Sequence, residues 1–231
     1  MHENLVRLKA VHHLLAGLGQ QYVFVGGATV SLYATDAGLA DEVRPTDDVD
    51  VVIELAKYGG YAEIDEKLRG LGFVNDVASG VICRYRVQGM VVDVMPTEAN
   101  VLGFNNRWYP EGFANAIEVE LEKGIDVSIF SLPYFVASKW EAFKGRGNGD
   151  YLASQDFEDL VFVIENAEDF EDKIAAARQQ VKDYLKKELL GVMYTDDFQE
   201  GLYAHLSGGY HLKDANFIIT KLQRALGQFD N

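Results

Sequence analysis

Tyr22-Val23-Phe24-Val25-Gly26-Gly27-Ala28-Thr29 and, beyond a gap, Arg44-Pro45-Thr46-Asp47-Asp48-Val49-Asp50-Val51-Val52-Ile53 decide the fold. Tyr22 to Val25 is too short for a helix and rich in β-formers, so it predicts a buried strand that two glycines end. The second stretch sets two carboxylates, Asp48 and Asp50, at the mouth of another apolar strand, Asp48 to Leu55. Side chains two apart on a strand point the same way. Asp48 and Asp50 can therefore hold one hard cation between them, and Gly26-Gly27 can bring backbone N–H groups close to a phosphate. Asp47 adjoins the pair, but only Asp48 shares a face with Asp50. Together the two stretches point to a metal–nucleotide site.

Before them, Leu5 to Leu18 has apolar residues at helical spacing and stops at Gly19. Its neighbouring His12 and His13 point about 100° apart on a helix, which disfavours a shared metal. Ala28 to Ala34 reads as the start of a helix, and Thr35 to Glu42 as a loop or a frayed helix end. After the carboxylate strand, Tyr58 to Leu71 is a helix closed by Gly72. Three strands follow: Phe73 to Val77, Val81 to Val87 and Met90 to Met95. The gap at Gln88-Gly89 is short enough for a tight hairpin. Alternation puts Arg84 and Arg86 on one side of the middle strand.

Pro96 to Gly112 is irregular, and Trp108 and Tyr109 within it either pack a loop or stack on a base. Ile117 to Leu121 and Ile125 to Phe130 are two more strands, and Pro133 to Arg146 is a helix with proline in its first turn. Ser154 opens another helix, whose Asp156, Glu158 and Asp159 suit its N-terminal end. Strand signals vanish beyond Ala167. Asp169 to Leu190, Asp197 to Leu206 and Leu212 to Leu226 read as helices. The expected fold class is α+β: a mixed sheet flanked by helices in residues 1–148, then a helical domain in residues 149–231.

The chain has 231 residues, 48% of them hydrophobic, as suits a globular protein with a sizeable core. Its one cysteine, Cys83, allows no internal disulfide, and no apolar run approaches the roughly 20 residues that span a bilayer. The first residues lack the basic and apolar regions of a secretory signal. These features place the protein in the cytoplasm, with no membrane partner. A net charge of −15 argues against broad nucleic-acid binding and suits a small cationic acceptor or metal-bridged recognition of phosphate.

Asp93 strengthens the site. A lone Asp inside the apolar run Val91-Val92-Asp93-Val94 is costly to bury unless it is paired or binds a cation. If its strand lies beside the one carrying Asp50, three carboxylates converge, and their ionised state calls for Mg²⁺. The other reading of the same residues is structural: Asp48 caps a turn and Asp93 pairs with Arg84 or Arg86.

A glycine pair after a strand, Asp48-Val49-Asp50 opening the next, and Asp93 within a later one resemble the nucleotidyltransferase superfamily that includes DNA polymerase beta. Arg44-Pro45-Thr46-Asp47-Asp48-Val49-Asp50 is most similar to the motif of its AbiEii-type members, the toxin halves of some toxin–antitoxin pairs. The likeness extends to the helix with Lys139 and to Asp156-Phe157-Glu158-Asp159-Leu160. It implies a Mg²⁺-dependent enzyme that moves a nucleoside monophosphate from a nucleoside triphosphate to an acceptor hydroxyl on RNA, protein or a small cationic molecule. An antitoxin protein would be a further partner. Gly26 and Gly27 would contact the triphosphate, with Thr29 beside them. Asp48, Asp50 and Asp93 would hold the metal, and Asp93 would also accept the proton of the attacking hydroxyl. Lys139 would neutralise triphosphate charge, with Asp156 orienting it or binding near the nucleotide, the two closing the far side of a cleft. The acidity fits an aminoglycoside-modifying relative better than a toxin acting on transfer RNA. A fold kept only to bind nucleotide is the non-catalytic alternative.

Overall fold

The computed structural model describes residues 2–55, 58–98, 106–206 and 215–227. Packing divides the chain into two compact units, Met1–Thr29 with Arg44–Ser131 and Val30–Val43 with Leu132–Asn231. The composition shift near Asn148 lies inside the second unit, because the helix before it packs against helices after it.

The first unit holds a seven-stranded mixed sheet. Its strands are β1 (Tyr22–Val25), β2 (Asp48–Ile53), β3 (Val74–Asn75), β4 (Arg84–Val87), β5 (Met90–Pro96), β6 (Ala116–Glu122) and β7 (Ile125–Phe130), in the order β3-β4-β5-β2-β1-β7-β6. Central β2 runs antiparallel to β1 and parallel to β5. Val49, Val51, Val52 and Ile53 are fully buried. A strand covered on both faces reads as a continuous apolar run, and here that run begins just after the carboxylates.

Helix α1 (Glu3–Leu15) buries Asn4, Leu8, Val11 and Leu15 at helical spacing. Asn4 ties this helix to the approach of β2. Its side-chain amide donates to the Arg44 carbonyl at 3.1 Å, and its oxygen accepts from the Thr46 N–H at 2.9 Å. The Thr46 hydroxyl donates onward to the Asp48 carbonyl at 2.9 Å. Helix α2 (Tyr58–Gly70) follows β2, and the short helix α3 (Tyr109–Ala114) lies in the segment expected to be irregular. Gln88 and Gly89 both have positive φ, so β4 and β5 are joined by the two-residue turn that matches strand twist.

Several boundaries differ from the sequence reading. Phe73 to Val77 contracts to Val74–Asn75, because Val77 is 86% exposed and turns into a 3₁₀ segment, Val77–Ser79. Val81 to Val87 contracts to Arg84–Val87. Ala28 to Ala34 forms a 3₁₀ helix, Gly27–Tyr33, and Thr35 to Glu42 contains another, Ala37–Glu42, capped by Asp36.

The second unit is helical: α4 (Leu132–Arg146), α5 (Gln155–Asn166), α6 (Phe170–Ala175), α7 (Gln179–Leu190), α8 (Asp196–His205) and α9 (Ala215–Ala225). Ser154 caps α5 by accepting the Phe157 N–H. The single helix expected over Asp169 to Leu190 is two, since extended Arg178 (φ −60, ψ 144) interrupts the helical bonding. The start expected at Leu212 for the last helix falls outside the described residues. Among the described residues no helix is long and apolar enough to cross a membrane.

Phe143, Tyr151, Phe157 and Phe198 form an aromatic cluster with ring centroids 4.7 to 5.7 Å apart. Gly201 of α8 lets that helix approach it. A Cβ at Gly201 would lie 2.5 Å from Tyr151 Cβ and 2.9 Å from Phe157 Cε1. Gly201→Ala is therefore expected to lower stability by about 1–3 kcal/mol through overpacking, measured as a shift of the urea midpoint at unchanged slope.

Candidate active site

The register of the central strands assembles the predicted carboxylates. Asp50 of β2 stands directly opposite Asp93 of β5, and Asp48 opposite Val91. Neighbours in register on adjacent strands share a face, so Asp48, Asp50 and Asp93 project from the same side of the sheet. On the far side of β5, Arg84 of β4 is the register partner of Asp93. Alternation along the strands thus places three carboxylates and one guanidinium on one patch.

Arg84 grips two of the three carboxylates. Its Nε donates to Asp93 Oδ1 at 2.8 Å and its Nη2 to Asp93 Oδ2 at 2.7 Å. The same Nη2 reaches Asp48 Oδ2 at 2.9 Å. This is a bidentate fork with a third, shared bond, the strong form of charge-assisted pairing. Hydrogen bonding to Asp93 raises the basicity of Arg84; burial opposes it, and the charges of Asp93, Asp48 and Asp50 add to the rise. Asp93 is 7% exposed, so without this cation its charge would be costly.

Asp50 turns the other way, toward the glycine pair. Val25 of β1 is its antiparallel partner, and Gly26 follows with φ +74. A Cβ at Gly26 would lie 2.8 Å from Asp50 Cγ and closer still to Oδ2. Glycine is thus required twice, by its left-handed backbone and by the carboxylate beside it. Gly27 is buried and begins the 3₁₀ helix. Thr29 is fully buried and turned inward: its hydroxyl donates to the Gly26 carbonyl at 2.9 Å, which braces the turn.

The donor chemistry suits a hard divalent cation, since three carboxylates share one face and supply only oxygen. The oxygens are directed elsewhere, however. Arg84 takes both of Asp93 and Oδ2 of Asp48, and Asp50 lies against Gly26. Accordingly, among the described residues no group of three or more His, Cys, Asp or Glu side chains is gathered to hold a metal. Cys83 lies beside this patch, buried; its thiol is pushed up to about 12, first by burial and then by the charges of Asp93 and Asp50. It stays neutral and is no nucleophile.

No protein-family model and no curated protein matches the chain. Among solved structures it is similar to an antigenic nucleotidyltransferase-like protein from Paracoccidioides brasiliensis. The identity is 17%, the TM-score 0.49, and the match covers 87% of this chain and 93% of that one.

Lys139 and Asp156 are brought together in the second unit. The Lys139 ammonium, buried on α4, donates to Asp156 at 3.1 Å and to Asp159 at 2.5 Å. Arg146 adds a fork onto Asp156, at 2.7 and 2.8 Å. Burial alone would lower the basicity of Lys139, but the charges of Asp159 and Asp156 outweigh it and hold the ammonium above its ordinary range. Asp156 is pulled below the usual carboxylate range: burial opposes this, while the Arg146 bond and the Lys139 charge prevail.

Trp108 is 1% exposed and so packs the core, leaving no face for a base. His12 is engaged by the Tyr22 hydroxyl at 3.0 Å, and Trp140 is buried. Arg84 entered the sequence reading only as one of two alternative partners for Asp93. Asn4 gave no signal at all, since an Asn on a helix face looks like a surface residue.

Proposed function

We propose that the protein is a nucleotidyltransferase, moving a nucleoside monophosphate from a nucleoside triphosphate to an acceptor hydroxyl with release of pyrophosphate. The observation that carries this reading is the register of Asp50 against Asp93, with Asp48 on the same face and the Gly26 turn against Asp50. Mg²⁺ bound to Asp48, Asp50 and Asp93 would polarise the reacting phosphate and neutralise its charge. The turn at Gly26-Gly27 presents backbone with no side chain in the way, suited to close approach by phosphate oxygens. Asp93, reached from both neighbouring strands, is the group to take the proton of the attacking hydroxyl. Asn4 and Thr46 fix the first residue of β2, and so the height at which Asp48 stands.

The test is pyrophosphate release from each of the four nucleoside triphosphates with Mg²⁺, comparing wild type with Asp48→Asn, Asp50→Asn and Asp93→Asn. Each variant is expected to lose at least about 100-fold in turnover. Turnover unchanged in all three would sink the mechanism. The toxin reading of the Arg44–Asp50 motif predicts growth arrest on expression; an antibiotic-modifying enzyme would instead give resistance.

One observation favours a second reading. Arg84 satisfies Asp48 and Asp93 without any cation, as a purely structural ion cluster would. In that case the carboxylates stabilise the sheet, and nucleotide binds without turnover or not at all.

A further inference from the structure

We infer that Arg84 occupies the place of the divalent cation, and that cation binding requires its guanidinium to swing into a neighbouring cavity. The inference rests on the reading that Asp48, Asp50 and Asp93 bind such a cation. A cation held by Asp48 and Asp93 would meet oxygens that Arg84 already engages, both of Asp93 and Oδ2 of Asp48, in three bonds of 2.7 to 2.9 Å. Two positive charges held on the same carboxylates a few ångströms apart repel each other. Guanidinium and cation therefore compete for one position, and each weakens the other by the same factor.

The displaced side chain has somewhere to go. Arg84 is partly exposed and lines a cavity of about 410 Å³ together with Arg69, Asn75, Asp76, Val77, Val81 and Ile82. Among the described residues its Nη1 makes no hydrogen bond. Asp76, whose N–H donates to the Arg84 carbonyl at 2.9 Å, puts a carboxylate on the cavity wall. That carboxylate already holds Arg86 at 2.8 Å and can be shared by a second guanidinium. The arginine thus has two positions, one closing the carboxylate patch and one opening it. Arg84 acts through the carboxylates and is a positioning residue.

The experiment is titration of the purified full chain with Mn²⁺, following free Mn²⁺ by electron paramagnetic resonance and the thermal midpoint with and without Mn²⁺. Arg84→Gln is expected to bind Mn²⁺ about tenfold tighter than wild type or more. Without metal its midpoint falls, because Asp93 loses its counter-charge, and the rise on adding Mn²⁺ exceeds that of wild type. Ile82→Trp, at a position 62% exposed, leaves the fold intact, fills the cavity and weakens Mn²⁺ binding several-fold. If wild type binds Mn²⁺ and Arg84→Gln binds it equally or more weakly, the competition is overturned while the cation site stands. Ile82→Trp binding as wild type does overturns the swing. Absence of Mn²⁺ binding in wild type and Arg84→Gln alike, or unchanged binding in Asp93→Asn, overturns the cation site and this inference with it.

Discussion

Lys139→Met is expected to destabilise the protein by about 3–5 kcal/mol, measured by chemical denaturation at neutral pH. Lys139 is 5% exposed, Asp159 2% and Asp156 4%. Removing the ammonium leaves Asp159 buried without the cation that faces it, whereas Asp156 keeps the fork of Arg146. A compensating Asp159→Leu in the same chain should recover part of the loss, since a packed apolar pair often matches a buried ion pair. Arg146 lies at the exposed rim, with 75% of its side chain accessible, so Arg146→Ala should cost only about 1 kcal/mol or less.

The pH dependence has a definite sign. Asp156 titrates below its unfolded value of 3.8, so its contribution is present above that pH and is lost as pH falls through the lower folded value. Lys139 titrates above 10.5, so its contribution is full below that pH and is lost as pH rises through the higher folded value. In Lys139→Met the alkaline limb should vanish and the plateau should lie lower. If Lys139 served the triphosphate instead, the variant would keep its denaturation midpoint and lose turnover.

The strands that carry the carboxylates were legible because their patterns are short-range. Four apolar β-formers before Gly26 could only be a buried strand, and Asp48-Val49-Asp50 alternates before its run turns apolar. The turn at Gln88-Gly89 followed from the two positive φ values it needs. What was hidden is long-range. Val30–Val43 follows β1 in sequence but belongs to the second unit, and nothing local marks that. Arg178 breaks a helix without glycine or proline to announce it.

The site divides in the same way. Alternation put Arg84 and Arg86 on one face of β4, and only the strand order assigns Arg84 to Asp93 and Arg86 to Asp76. Asp93 was suspect because it is a charge in an apolar run. A buried carboxylate calls for a counter-charge that an arginine or a metal supplies equally, so composition could not choose between them.

Gly26→Ala should have the largest effect on the site for the smallest change in the chain. At φ +74 any L-residue is strained, at about 1–2 kcal/mol. The added methyl also meets the Asp50 carboxylate, whose Cγ would lie 2.8 Å away. Asp50 sits on the central strand between β1 and β5, so the backbone cannot retreat without breaking the ladder, and the carboxylate must rotate or the Gly26 turn must open. Stability is expected to fall by about 2–4 kcal/mol and turnover by at least about 100-fold. Adding Asp50→Ala separates the two causes. In the double variant the contact is gone, so part of the stability returns while the backbone strain remains. On the proposed mechanism turnover stays low, because the carboxylate itself is missing. A double-mutant cycle on the thermal midpoint should show this as coupling between Gly26 and Asp50, and additive effects would mean that the contact between them does not decide the geometry of the turn.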